Sequence, residues 1–87
     1  MVYTYIVKCA DGTLYTGWSA NLEKRLTTHN AGMGAKYTRN RLPVELVYWE
    51  SQENQSRAQK REAGIKKLKR QQKIALIDEF NDRQCEI

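Results

Sequence analysis

Near the start of the chain, Val2 to Cys9 and Thr13 to Ser19 flank Ala10-Asp11-Gly12, and this arrangement narrows the possible folds more than any other feature. Runs of Tyr, Thr, Val and Ile joined by a short connection containing Asp-Gly read as an antiparallel β-hairpin. The length of that connection decides which side chains share a face, because a slip of a single residue turns every side chain over. A turn confined to Asp11-Gly12 would pair Tyr5 with Trp18 and place Tyr5 and Tyr15 on opposite faces. A loop of Ala10, Asp11 and Gly12, with Gly12 in the left-handed region, pairs Cys9 with Thr13, Val7 with Tyr15 and Tyr5 with Gly17. Both phenols then emerge on one face, and this is the expected register.

Beyond the hairpin, Asn21 is suited to cap a helix. Leu22, Arg25, Leu26 and His29 follow at i, i+3, i+4, i+7, until Gly32 supplies a stop. Arg25 and His29 thus stand one turn apart on the same flank. A loop rich in Gly, Lys and Arg runs to Pro43, and Val44 to Trp49 reads as a further strand. Gln55 to about Leu68 is expected to be helical. Gln71 to Phe80 should form a last helix with Ile74, Ile77 and Phe80 as its buried stripe. A single domain over residues 1–80 and a frayed tail over 81–87 are expected, consistent with a length of 87 residues.

Charge is unevenly spread. The net charge is +5, and between Arg57 and Lys73 the basic residues Arg57, Lys60, Arg61, Lys66, Lys67, Lys69, Arg70 and Lys73 face one acid, Glu62. A second cluster of Lys36, Arg39 and Arg41 surrounds Tyr37. Cations beside an aromatic ring suit a polyphosphate backbone with stacked bases, although the charge run alone fits a solvated helix face equally well. Cys9 and Cys85 form no metal-binding spacing, so reduced thiols are expected. With no apolar run of membrane-spanning length and no secretory pattern at the start, the chain reads as a soluble cytoplasmic protein with no membrane partner.

Glu62 lies in the apolar stripe of Ala58, Ile65 and Leu68. A carboxylate there requires a cation, either a side chain in a salt bridge, which is the commoner case, or a hard metal ion. Taken singly, Tyr5 and Tyr15 are ordinary sheet residues, Arg25 a surface arginine and His29 a helix-end histidine. Together, two phenols on one face, an Arg and a His on one flank and a lone carboxylate could assemble one polar pocket.

The ordered set Tyr5-Ile6-Val7, Tyr15-Thr16-Gly17, Asn21-Leu22-Glu23-Lys24-Arg25 leading to His29, and finally Glu62 resembles the GIY-YIG nuclease superfamily. The likeness is greatest to its small stand-alone bacterial members, of which Gly32-Met33-Gly34-Ala35-Lys36-Tyr37-Thr38-Arg39 is typical. It departs from the name-giving motifs where Tyr3-Thr4-Tyr5 stands for Gly-Ile-Tyr and where Thr16 replaces Ile, but both tyrosines and Gly17 are kept. The resemblance implies an α+β fold, a small three-stranded antiparallel sheet flanked by helices. It also implies a catalytic set of Tyr5, Tyr15, Arg25, His29 and Glu62 around a divalent metal.

Hydrolysis of a phosphodiester needs an activated water, stabilisation of charge on the phosphoryl oxygens and help for the leaving oxygen. Tyr5 is the candidate to orient and deprotonate the water, with His29 accepting or relaying the proton. Because a phenol with a pKa near 10 is a poor base at neutral pH, Arg25 or the metal is expected to lower that value. Arg25 would clamp the phosphate, Tyr15 position it, and Glu62 hold Mg2+ or Mn2+ as the one carboxylate of the set. A side chain at Gly17 would obstruct the space between the tyrosines. Residues 32–36 do not fit the nucleotide-binding P-loop pattern. Lys36, Tyr37, Arg39, Arg41, Lys66 and Lys67 are expected DNA contacts. The reading is therefore a metal-dependent DNA endonuclease, with a non-catalytic nucleic-acid-binding module and a protein-interaction domain as rivals.

Overall fold

The computed structural model describes residues 1–85, with side chains through residue 82. It contains β1 (Val2–Lys8), β2 (Leu14–Ser19), α1 (Leu22–Asn30), β3 (Glu45–Gln52), α2 (Gln55–Lys66) and α3 (Arg70–Cys85). The strands form one antiparallel sheet in the order β2-β1-β3, giving the expected α+β architecture.

The hairpin takes the register set by the longer loop: Val7 lies opposite Tyr15 and Tyr5 opposite Gly17. Cys9 N–H bonds to Thr13 O at 2.8 Å, and Gly12 has φ of 84°, a backbone region that residues with a Cβ rarely enter. The turn is fastened by Asp11, whose Oδ1 accepts from both Thr13 N–H and Thr13 Oγ1–H.

Side-chain alternation gives the sheet two apolar faces. On one, Tyr5, Val7, Cys9 and Val44 are buried with Tyr15, Leu22, Leu26, Leu42, Leu46 and Trp49 packed around them. The other buries Ile6, Tyr48 and Ile65 under Leu14, Val47, Leu76, Ile77 and Phe80. A register shift between Ile6 and Val7 against β3 pairs Tyr48 with Ile6 and Leu46 with Val7. This bulge leaves Val47 as the additional residue, so Leu46 joins the face of Val7 while Val47 and Tyr48 join that of Ile6.

The helices begin where the sequence provides caps. Asn21 Oδ1 accepts from Lys24 N–H and Asn54 Oδ1 from Arg57 N–H, each at 3.0 Å. These bonds satisfy backbone donors left over at a helix start.

Several expectations are corrected. Strand β3 starts one residue later and extends to Gln52, because the polar stretch Glu50-Ser51-Gln52 still pairs with Thr4, Tyr3 and Val2. In α3 the buried stripe runs through Leu76, Ile77 and Phe80, and Ile74 is 37% exposed. Helix α3 runs as far as Cys85, while residues 86–87 and the side chains of residues 83–85 lie outside the described residues. Cys9 is buried with a free thiol. Among the described residues, no helix is long and apolar enough to cross a membrane.

Candidate active site

Tyr5 is the hub of a polar cluster set into the face of the sheet that α1 covers. It stands in the middle strand, 2% exposed, opposite a glycine on one neighbour and Trp49 on the other. The glycine is required here. A Cβ on residue 17 would lie 2.6 Å from Tyr5 Oη and 3.3 Å from a ring carbon of Tyr15, so the bare backbone leaves the space through which the phenol extends.

The flank of α1 supplies two partners to that phenol. Arg25 donates from Nε to Tyr5 Oη at 3.2 Å, and His29 Nε2 lies 2.9 Å from the same oxygen. Because Tyr5 Oη accepts from Arg25, its own hydrogen is available to His29 Nε2. His29 is completely buried, closed in by the edges of Tyr5 and Tyr15, with ring centroids 6.1 and 5.7 Å away. Burial therefore pushes the imidazole below its ordinary pKa, and the nearby Arg25 charge adds to the effect.

The Tyr5 phenol moves in the other direction from that expected. Removal from water raises its pKa above 10, and the hydrogen bond and charge of Arg25 oppose the rise without overcoming it. At neutral pH Tyr5 consequently holds its proton, and it can serve the chemistry by passing one proton on as it takes another up.

Glu62 comes from α2, on the opposite side of the sheet, where Ala58 and Ile65 are fully buried. Its Oε1 is 2.8 Å from Lys66 Nζ one turn along the same helix, with the two side chains 20% and 48% exposed. Lys66 Nζ also sits 5.6 Å from the centroid of the Tyr15 ring, so the carboxylate meets the cluster through this ammonium. The salt bridge anticipated for Glu62 is thus a partly exposed intrahelical pair. Among the described residues, no group of three or more His, Cys, Asp or Glu gathers to hold a metal. One hard oxygen donor fits a cation completed by water and substrate oxygens, and such a cation would share the carboxylate with Lys66 or displace it.

The loop after α1 contributes what sequence reading missed. Thr38 is fully buried between exposed Lys36, Tyr37 and Arg39. Its Oγ1 lies 2.9 Å from His29 Nδ1 and donates to Ala35 O at 2.9 Å. Gly34 packs directly on the imidazole, since a Cβ there would stand 2.4 Å from His29 Nδ1. The glycine was visible in the sequence. The threonine stood within the same stretch, residues 32–39, but nothing there singled it out, because its importance arises only when the loop closes over the histidine.

Of the expected DNA contacts, Lys36, Arg39 and Lys67 are exposed, and among the described residues they carry no ion pair. Tyr37, 40% exposed, stacks on Tyr15 at 5.9 Å, with the Arg41 guanidinium 4.2 Å from its centroid. Arg41 is further engaged by Asp11 Oδ2 at 3.0 Å and Tyr37 O at 2.7 Å. It therefore ties the loop to the hairpin turn, and Lys66 is held by Glu62.

Comparison with known proteins places this geometry in context. The profile of the GIY-YIG catalytic domain matches residues 1–75. The chain is 62% identical over 77 residues to the UPF0213 protein CPE1444 of Clostridium perfringens, covering 88% of this chain and 83% of that one. It is 56% identical over 77 residues to the UPF0213 protein SH2523 of Staphylococcus haemolyticus, covering 88% and 94%. Among solved structures, the solution NMR structure of the E. faecalis protein EF2693 superimposes with a TM-score of 0.60 at 46% identity, covering 91% of this chain and 84% of that one. The UPF0213 protein BH0048 of Bacillus halodurans gives 0.57 at 38% identity, covering 90% and 84%.

Proposed function

The chain belongs to the GIY-YIG catalytic-domain family, and from that premise we propose that it is an endonuclease hydrolysing phosphodiester bonds in DNA with the help of Mg2+ or Mn2+. The observation that carries this reading is the hydrogen-bonded series of half-buried Arg25, buried Tyr5 and buried His29. A guanidinium, a phenol and an imidazole so connected can bind a phosphate and move one proton in a fixed direction.

Water held at Tyr5 Oη attacks phosphorus as the P–O bond to the leaving sugar oxygen breaks. The water gives its proton to Tyr5, which passes its own to His29 Nε2, and the departing alkoxide takes a proton from solvent. The phenol ends neutral, His29 becomes imidazolium, and that proton is afterwards returned to solvent. Such general base assistance is worth about 10²–10⁴ in rate. Arg25 uses its remaining N–H groups on a phosphoryl oxygen, and Tyr15 packs against His29 and borders the site. Glu62 would be the residue to hold a divalent cation, which would supply positive charge to stabilise the transferring phosphoryl group. Lys36, Tyr37, Arg39 and Lys67 contact the backbone of the DNA, with Arg41 bracing Tyr37. A cytoplasmic setting, in which thiols stay reduced, suits the free thiol of Cys9.

A non-catalytic DNA-binding module is the second reading, and the Glu62–Lys66 pair favours it, since the carboxylate is already neutralised. Incubating the protein with supercoiled plasmid, with and without Mg2+ or Mn2+, separates the two. The endonuclease nicks only with metal, and Tyr5→Phe lowers the rate about 10²–10⁴-fold. DNA that is bound but never cut, across duplex, branched and single-stranded substrates, would establish the binding module instead.

A further inference from the structure

The imidazole of His29 is bracketed by two hydroxyl groups, Tyr5 Oη at Nε2 and Thr38 Oγ1 at Nδ1, each 2.9 Å away. In a neutral imidazole one ring nitrogen donates and the other accepts, and which does so is set by the bond the other makes. Counting hydrogens from the outer ends of this chain settles the tautomer. Thr38 has one hydroxyl hydrogen, and its Oγ1 stands 2.9 Å from Ala35 O, an oxygen that can only accept. The Thr38 hydrogen therefore lies toward Ala35, leaving Oγ1 to accept from His29 Nδ1–H. At the other end, Tyr5 Oη already accepts from Arg25 Nε–H, so its own hydrogen points to a bare Nε2. With the proton on Nδ1, every group from Arg25 to Ala35 is satisfied in one direction. With the proton on Nε2, Tyr5 Oη would accept twice with its hydrogen left over, and Thr38 would have to turn away from Ala35.

We propose that Thr38 is a positioning residue that holds the proton of His29 on Nδ1 and so keeps Nε2 open to receive the proton of Tyr5. The assignment rests on the endonuclease reading for its catalytic consequence but not for the tautomer itself. Two features make Thr38 rigid enough for the task. It is fully buried, and its backbone N–H bonds to Ala35 O at 3.0 Å, closing a turn that places the hydroxyl under the ring. Gly34 lets this turn approach, because any side chain there would collide with Nδ1. The loop between α1 and β3 thereby acts on the far side of the histidine from the reacting water.

His29 is the one histidine of the chain, so its ring nitrogens can be observed without ambiguity by NMR of protein labelled with 15N-histidine, at a pH where the ring is neutral. The wild type should show a pyrrole-type Nδ1 bearing the proton and a pyridine-type Nε2. Thr38→Val, which keeps the shape and removes the hydroxyl, should shift the population toward Nε2–H and reduce metal-dependent nicking about 10–100-fold, the range for losing a residue that orients another's ring. Thr38→Ser should restore both the Nδ1–H tautomer and the nicking rate. A wild-type ring protonated on Nε2 overturns the proposal with no variant needed, as does a folded Thr38→Val protein that keeps the Nδ1–H tautomer. A wild type with the expected tautomer and no nicking on any substrate refutes the endonuclease reading and leaves the Thr38 assignment standing.

Discussion

Replacing Glu62 by Gln keeps the shape and removes the charge, so the cost depends on how far the carboxylate is shielded from water. In the apolar stripe suggested by sequence, losing one partner of a buried ion pair would cost roughly 3–5 kcal/mol. The partner is instead Lys66, on the same helix and 48% exposed, against 20% for Glu62. Pairs of this i,i+4 kind contribute about 0.3–0.5 kcal/mol. A domain of this size loses about 4–8 °C of melting temperature per kcal/mol, so Glu62→Gln should melt within about 2–4 °C of the wild type. Metal-dependent nicking should meanwhile fall on the order of 10²-fold or more, because the anionic ligand for the cation is gone. Thermal melting and a plasmid nicking assay on one preparation read both quantities. A fall of more than about 10 °C would mean that Glu62 is a structural anchor, and wild-type nicking at normal stability would refute its role as metal ligand.

Four other expectations follow from particular contacts. Gly34→Ala sets a methyl 2.4 Å from His29 Nδ1 and 2.8 Å from its Cα; it should cost about 1–3 kcal/mol by overpacking, and unchanged chemical denaturation would show that the loop has room to spare. Thr16 is 3% exposed, and its Oγ1 has no hydrogen-bond partner among the described residues, so Thr16→Val should leave stability unchanged or raise it by about 1 kcal/mol; a clear loss in melting temperature would reveal a hidden partner. Neutralising Lys36 and Arg39 together should flatten the log–log dependence of DNA affinity on salt by about 2 units, and a slope that stays the same would remove the loop from the interface. His29, pushed down by burial, should titrate by NMR below 6.5. Its folded pKa lies below the unfolded one, so its contribution to stability is complete above about 6.5 and is lost as pH falls through that value toward the folded pKa; a midpoint at or above 6.5 would contradict the buried neutral ring.

The hairpin register was readable because turn length and strand alternation are local properties, and the same holds for Asn21 and for the shared flank of Arg25 and His29. Other features depend on what the chain meets in space. Ile74 has the right helical spacing for the core, yet the core takes Leu76, since Tyr48 and Trp49 receive Phe80 from a direction that leaves Ile74 outside. Arg41 looked like a free cation until the loop folded against Asp11, thirty positions away. The shift of the Tyr5 phenol was misjudged because charge can be counted in a sequence whereas loss of solvent cannot. Thr38 is the extreme case, a residue with no pattern of its own whose place depends on Ala35 and His29 being where they are.

The order β2-β1-β3 puts the first strand synthesised in the centre of the sheet. While the chain is being made, Val2–Lys8 can find Leu14–Ser19 almost at once, but its other edge has no partner until Glu45–Gln52 emerges. During that interval a strand carrying Ile6 and Val7 presents bare N–H and C=O groups, the template on which chains associate wrongly. A chain cut short before β3 would keep that edge open and be prone to aggregation.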